Sequence, residues 1–246
     1  VSSTQVKITV ASGAPTLYYY CSLHSGMGGQ VNTNTTDGST HAEGTILSRA
    51  KPNADYGFSI VSYTGSGANA TVSHGLSSAP KLILFKKRDV ATSWMVYNHT
   101  IGNNRFLYLD LSNAQTGTDS SYFNDTDPTD SLIHLGTYHR NNTSSERYIA
   151  YCFADVSNHQ KVGSYSGTGS SDNSITGLGF KPAWIMIKRT DSADDWCIYD
   201  NTRHPSASTD TRLEANDTAA EVSASSIEIT FDSDGFTANG TNSSIN

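Results

Sequence analysis

The chain has 246 residues and a formal net charge of −7, enough length for one large core or two modest ones. That acidity argues against a nucleic-acid partner, which would need a basic stripe, and no apolar run approaches the ~20 residues that cross a bilayer. Turn formers (Ser, Thr, Asn, Gly, Asp) and strand formers (Tyr, Val, Ile) are common while Lys and Glu are few, so an all-β protein is expected.

The first stretch with a chemical signature is LYYYCSLHSGMGGQV, Leu17 to Val31. Cys21, His24 and Met27 offer a thiolate, an imidazole and a thioether between two candidate strands, the ligand types of a blue-copper centre. Residues 1–35 resemble the C-terminal hairpin of a cupredoxin, where Cys-x-x-His-x-x-Met lies on the loop joining the last two strands. The earlier strands of such a unit are absent, so the chain is expected to start within a domain. Type-1 copper takes a second histidine, which the resemblance places well upstream; here the nearest, His41, follows the motif and would have to fold back. The expectation is a hairpin that keeps its shape without metal, with no cofactor. A copper-binding redox protein is the lesser alternative. Tyr18, Tyr19 and Tyr20 would alternate faces on a strand, leaving at least one ring for solvent or a neighbour.

Residues 36–56, full of turn formers, read as a connector. From residue 57 the dominant signal is internal repetition. The stretch YTGSGANATVSHGLSSAPKLILFKKRDVATSWMVYN, from Tyr63, aligns without a gap to YSGTGSSDNSITGLGFKPAWIMIKRTDSADDWCIYD, from Tyr165, 102 residues later. Tyr63/Tyr165, Gly65/Gly167, Gly67/Gly169, Gly75/Gly177, Leu76/Leu178, Pro80/Pro182, Ile83/Ile185, Lys86/Lys188, Asp89/Asp191, Trp94/Trp196 and Tyr97/Tyr199 are identical pairs. A duplication is expected, at a period longer than that of common solenoids. It gives one β-sandwich over 57–156 and a second over 157–246.

Each copy reads alike. A Tyr-x-Gly-x-Gly strand end leads through a polar loop, a Gly-Leu turn and a proline to an apolar strand, 82–85 or 184–187. A turn at Asp89 or Asp191 and a strand carrying Trp-x-x-Tyr complete a hairpin. Proline is tolerated at the strand entrance, where no ladder donor is required. Further strands are predicted within 105–111, 131–137 and 146–156. The last is the most apolar run in the chain and reads as a central strand. The second copy continues through TRLEAND and SSIEITFDSDGFTANGT and reaches Asn246 with no counterpart of 146–156. A sandwich short of that strand would leave ladder groups unpaired, so the polypeptide is expected to continue past Asn246.

No catalytic constellation stands out, and no enzymatic activity is expected. There is no Gly-x-Ser-x-Gly elbow, no carboxylate pair set apart by an apolar pocket, and no Lys-Ser/Thr after the Tyr-x-Gly-x-Gly runs to make a phosphate loop. The acidic loops 124–131, with Asp125, Asp127 and Asp130, and 191–195 gather oxygen donors of the kind Ca²⁺ takes. They lack the glycine and closing glutamate of an EF-hand and read as solvated turns. Cys152 and Cys197 lie in strand-like runs and read as buried small hydrophobes rather than part of a disulfide framework. Trp94, Trp184 and Trp196 could stack on sugars, but Trp94 and Trp196 occupy equivalent positions and read as core pins. Asn-x-Ser/Thr triplets, as at Asn69, Asn141 and Asn239, would be glycosylation acceptors in a secreted eukaryotic protein, but an Asn- and Thr-rich composition yields them by chance, which is the favoured reading.

The repeated element, SYTGSG through WMVYN and GSYSGTG through WCIYD, resembles a domain of unknown function found in virion structural proteins of marine tailed phages, including cyanophages. The stretch TLYYYCSLHSGMGG resembles the cupredoxin-like end of similar phage proteins. The resemblance runs from Thr16 onward. It implies a non-enzymatic virion component on the particle surface: a tail fibre, an appendage or a capsid-decorating protein. No catalytic residue carries over. The expected architecture is a tandem β-sandwich of jelly-roll or lectin-like type that self-associates and meets other virion proteins, with no nucleic-acid or membrane partner. A lectin-like module for glycan or host-surface attachment is the alternative.

Overall fold

The computed structural model describes residues 17–20, 28–31, 38–170, 172–203 and 209–246; for 17, 19, 20 and 28–31 it describes the backbone only. Apart from one 3-10 turn at Ala54–Tyr56, every regular element among them is a strand. In chain order these are β1 (Leu17–Tyr20), β2 (Gly28–Val31), β3 (Ser39–His41), β4 (Ser48–Asn53), β5 (Phe58–Thr64) and β6 (Ala70–Ser73). Next come β7 (Leu82–Lys87), β8 (Met95–Asn98), β9 (Leu107–Tyr108), β10 (Leu132–Leu135), β11 (Arg147–Phe153) and β12 (Asn173–Thr176). The last six are β13 (Trp184–Lys188), β14 (Trp196–Asp200), β15 (Thr211–Glu214), β16 (Val222–Ser223), β17 (Ile229–Asp232) and β18 (Gly235–Ala238). The protein is all-β, built from antiparallel sheets of sandwich type.

Residues Val1–Ser39 and Thr40–Asn246 form two compact units. In the first, β1 and β2 pair antiparallel, from Leu17↔Val31 to Tyr20↔Gly28. Tyr18 is exposed. Cys21, His24 and Met27, on the stretch between the two strands, lie outside the described residues.

In the second unit a seven-stranded sheet runs in the order β3-β4-β5-β11-β7-β8-β9. The apolar run of β11 takes the centre, paired with β5 from Arg147↔Thr64 and with β7 from Tyr148↔Lys87. Its alternation puts Tyr148, Ala150 and Cys152 on the buried face. The β6–β10 pair contributes Val72, Ile133 and Leu135 to the same core, and Phe106, Tyr122 and Phe123 enter it from loops. Burying so many aromatic and aliphatic groups is the main stabilising term of this half, at about 25 cal/mol per Å² of apolar surface.

The strands differ from the sequence reading in several places, and the loops expected after the Tyr-x-Gly-x-Gly runs hold β6 and β12. Residues 36–56 are not simply a connector, because β3 and β4 extend the main sheet; β4 pairs with β5 from Ser48↔Tyr63 to Asn53↔Phe58. Ser48 and Ala50 point inward while Arg49 and Lys51 point out, a period of two disguised by polar residues and Pro52. The predicted strand at 105–111 shrinks to Leu107–Tyr108, flanked by the buried Phe106.

The remaining strands form a four-stranded sheet, β13-β14-β15-β16, and a three-stranded one, β12-β18-β17. Ile185, Ile187, Tyr199, Ile229, Phe236 and Ile245 make their shared core. A third apolar cluster, in which Val96 and Leu107 meet Trp196 and Met186, joins the two halves. The Trp196 Nε1–H donates to the Tyr108 carbonyl at 2.7 Å across this seam.

Candidate functional site

The Tyr-x-Gly-x-Gly runs are held by asparagines that carry no signature in the sequence. After β5, a Cβ on Gly65 would lie 2.3 Å from the Thr143 carbonyl oxygen, so only glycine allows the approach. The fully buried Asn142 then closes the loop. Its Oδ1 accepts the Ser66 amide N–H at 2.8 Å, and its Nδ2 donates to the carbonyls of Ala68 and Gly136, each at 2.6 Å. The Tyr63 hydroxyl donates to the Asn141 carbonyl at 2.7 Å.

Corresponding contacts recur 102–104 residues later. The Thr168 amide donates to Asn246 Oδ1 at 2.8 Å, and Asn246 Nδ2 donates to the carbonyls of Ser170 and, at 2.8 Å, Gly240. The Tyr165 hydroxyl donates to the Ile245 carbonyl. Each clasp uses its amide on backbone partners, which is structural work.

The two hairpins also correspond. Ile83 faces Tyr97 in β7–β8, and Ile185 faces Tyr199 in β13–β14. A lysine braces each turn: Lys86 Nζ donates to the Thr92 carbonyl, and Lys188 Nζ to the Asp194 carbonyl at 2.8 Å. Burial lowers the Lys188 pKa, with Asp194 and Asp195 acting against that shift.

A charged group is enclosed between β14, β15 and β17. Arg212 reaches both Glu228 oxygens at 3.1 Å and Glu214 at 3.1 Å. The Tyr199 hydroxyl and Asn242 Nδ2 each add a bond of 2.7 Å to Glu228. Burial opposes the Arg212 charge, yet the two carboxylates outweigh it and hold the guanidinium protonated. Burial, then the neighbouring Cys197 and Glu228, push the Tyr199 phenol far up. Glu228 has two partners on each oxygen, an arrangement for anchoring a fold rather than moving a proton. Asp210, fully buried, accepts the amides of Glu228 and Ile229 at 2.8 and 2.7 Å, and Asp234 accepts those of Gly177 and Gly179 at 3.0 and 2.6 Å.

The acidic loops are similarly engaged. Tyr97 donates to Asp127 at 3.2 Å, Asn69 to Asn124 at 2.6 Å and Ser131 to Asp130 at 3.2 Å, while Asn124 and Asp125 take left-handed φ of 56° and 46°. In the second loop Arg189 pairs with Asp191, Ser244 donates to Asp194 and Asn216 to Asp195. Among the described residues no three His, Cys, Asp or Glu side chains gather as a metal-ligand set.

The tryptophans divide. Trp196 is a core pin, 3% exposed. Trp94 is half-buried, stacked on Tyr151 at 6.2 Å with the Lys86 ammonium 5.5 Å from its ring centroid. Trp184 is 54% exposed. Cys152 and Cys197 are buried free thiols; burial raises the pKa of both, that of Cys197 to about 12. Asn141 is fully buried and donates to the Tyr122 carbonyl at 2.7 Å, which closes its glycosylation triplet in the folded state.

One histidine has a defined role that its sequence context did not signal. His74 is fully buried; its Nδ1 accepts the Leu76 amide at 3.1 Å, which leaves Nε2–H to donate to the Thr129 carbonyl at 3.2 Å. That pattern requires the neutral ring, and burial lowers its pKa.

No curated protein matches this chain, and no solved structure does. A family model matches residues 31–246, a span that takes in both clasps, both hairpins and the enclosed Arg212–Glu228 group: the chain belongs to the family described as Domain of unknown function (DUF7483).

Proposed function

We propose that the protein is a non-enzymatic structural component of a tailed-phage virion, a tail fibre, appendage or capsid-decorating protein that assembles through its β-domains at the particle surface. The observation that carries this reading is how the polar groups are used. Asn142, Asp210, Glu228 and Asp234 are all engaged by the protein's own backbone and side chains. Catalytic groups cluster where perturbed side chains face a cleft, and these four instead face the protein's own backbone and side chains. Outward, the chain presents strand edges and single aromatic rings such as Tyr56 and Trp184, features that assembly covers. The phage assignment itself rests on the resemblance of the repeated elements. Mass spectrometry of density-purified particles, with antibody labelling in the electron microscope, tests it. The chain should appear at fixed copy number on the particle surface; recovery only from soluble lysate, with none on particles, refutes the assignment.

A second reading, attachment to a host-surface glycan, has the exposed indole of Trp184 in its favour. A glycan array probed with the wild type and Trp184→Ala tests it: binding lost in the variant supports a sugar platform.

A further inference from the structure

β13 is the outer strand of its sheet, and among the described residues no strand pairs with its free edge. Its counterpart at the 102-residue offset, β7, is interior: it pairs with β8 on one side and β11 on the other, and β11 pairs in turn with β5. The correspondence extends beyond the hairpins and clasps. Ser73 faces Leu132 in β6–β10, and Ile175 faces Phe236 in β12–β18, at the same offsets. The segment that corresponds to the end of β5 carries Tyr165 onto the second core, yet 161–166 forms no ladder. The position that β11 fills in the first half therefore has no strand in the second among the described residues.

Side chains around that position fit the same account. Leu82 faces Phe153 of β11 and is half-buried, whereas its counterpart Trp184 is 54% exposed. Charges at the far end match as well. Arg147 of β11 binds Asp89 at 2.5 Å, and Glu146 lies 3.7 Å from Lys87. The counterparts of Asp89 and Lys87 are Asp191 and Arg189, and the Asp191 side chain is 74% exposed.

We propose that the free edge of β13 accepts one antiparallel partner strand with the residue pattern of β11. That pattern is a Glu-Arg start to meet Arg189 and Asp191, then an aromatic and two small residues alternating toward the core, as Tyr148, Ala150 and Cys152 do. Main-chain bonds to β13 give affinity, and the alternating side chains and end charges give register. The site belongs to the chain itself and does not depend on the particle assignment.

A synthetic peptide of residues 145–154, SERYIAYCFA, is the probe. Added to the 246-residue chain it should bind one to one, shift Trp184 emission to shorter wavelength and slow β13 amide exchange about tenfold or more at saturation. Trp184→Phe should lose the emission shift and keep the exchange protection. A peptide carrying Ala150→Pro disrupts the ladder and should not bind. Absence of binding at millimolar peptide, or equal binding of the proline peptide, overturns the proposal. Protection of β13 that grows with protein concentration alone, with a dimer in sedimentation, overturns it in favour of a second copy as occupant. Protection at every concentration without peptide shows the edge already covered and overturns it too.

Discussion

Replacing Asn142 by alanine should be among the costlier single changes in this chain. The side chain is fully buried and holds three backbone groups: the Ser66 amide at 2.8 Å and the carbonyls of Ala68 and Gly136 at 2.6 Å. Each net hydrogen bond contributes about 1 kcal/mol, and the stranded partners add a desolvation penalty, so Asn142→Ala should cost about 3–4 kcal/mol. At roughly 2–4 °C per kcal/mol for a unit of this size, the melting temperature should fall by roughly 6–15 °C. Urea denaturation followed by circular dichroism and tryptophan fluorescence measures the loss directly. Asn142→Asp sharpens the test. It keeps an acceptor for Ser66 but turns a carboxylate oxygen toward two carbonyls, so it should be at least as damaging as alanine. A loss below about 1 kcal/mol for Asn142→Ala, within the range of ordinary surface changes such as Ser77→Ala at an exposed site, would refute the clasp as a structural staple.

Three further outcomes follow from the same geometry. Glu228→Gln should cost about 2–3 kcal/mol in urea denaturation, because it leaves the half-buried Arg212 short of one charge partner; Tyr199→Phe, which removes one of four bonds to Glu228, should cost about 1 kcal/mol. His74 is neutral in the fold and its pKa is lowered by burial, so the unfolded chain takes up the proton first as pH falls. Stability should be level above the unfolded histidine value near ~6.5, decline below it until the native ring also protonates, and decline less steeply in His74→Asn; His134 and His139 shift in the same direction, so part of the slope should persist. Cys152 and Cys197, buried with raised pKa, should resist iodoacetamide in native protein and label fully in denaturant, as read by peptide mapping.

Much of this architecture was legible because burial in a strand repeats every two residues and leaves a local trace. The run 146–156 announced the central strand β11, and the identities 102 residues apart announced two hairpins, which pair in corresponding registers. Cys152, Cys197 and Trp196 read as core and are buried there. Trp94, placed with Trp196 by its repeat position, is half-buried under Lys86 instead, because whether a ring is covered depends on what packs above it. The segment 48–53 leaves no such trace, since a strand of Ser, Arg, Ala and Lys carries its alternation in polarity too weak to separate from loop.

By itself, then, the sequence determined the fold class, the hairpins and the central strand, all set by short-range alternation and turn chemistry. Only the tertiary structure decided that Asn142 closes a loop around Ser66, 76 residues away, that Arg212 and Glu228 meet, and that β7 lies inside its sheet while β13, among the described residues, lies at the edge of its own. Those outcomes depend on which distant backbone groups come within hydrogen-bonding range. No local pattern encodes that, because an asparagine in a polar loop looks the same in sequence whether it faces water or holds a turn together.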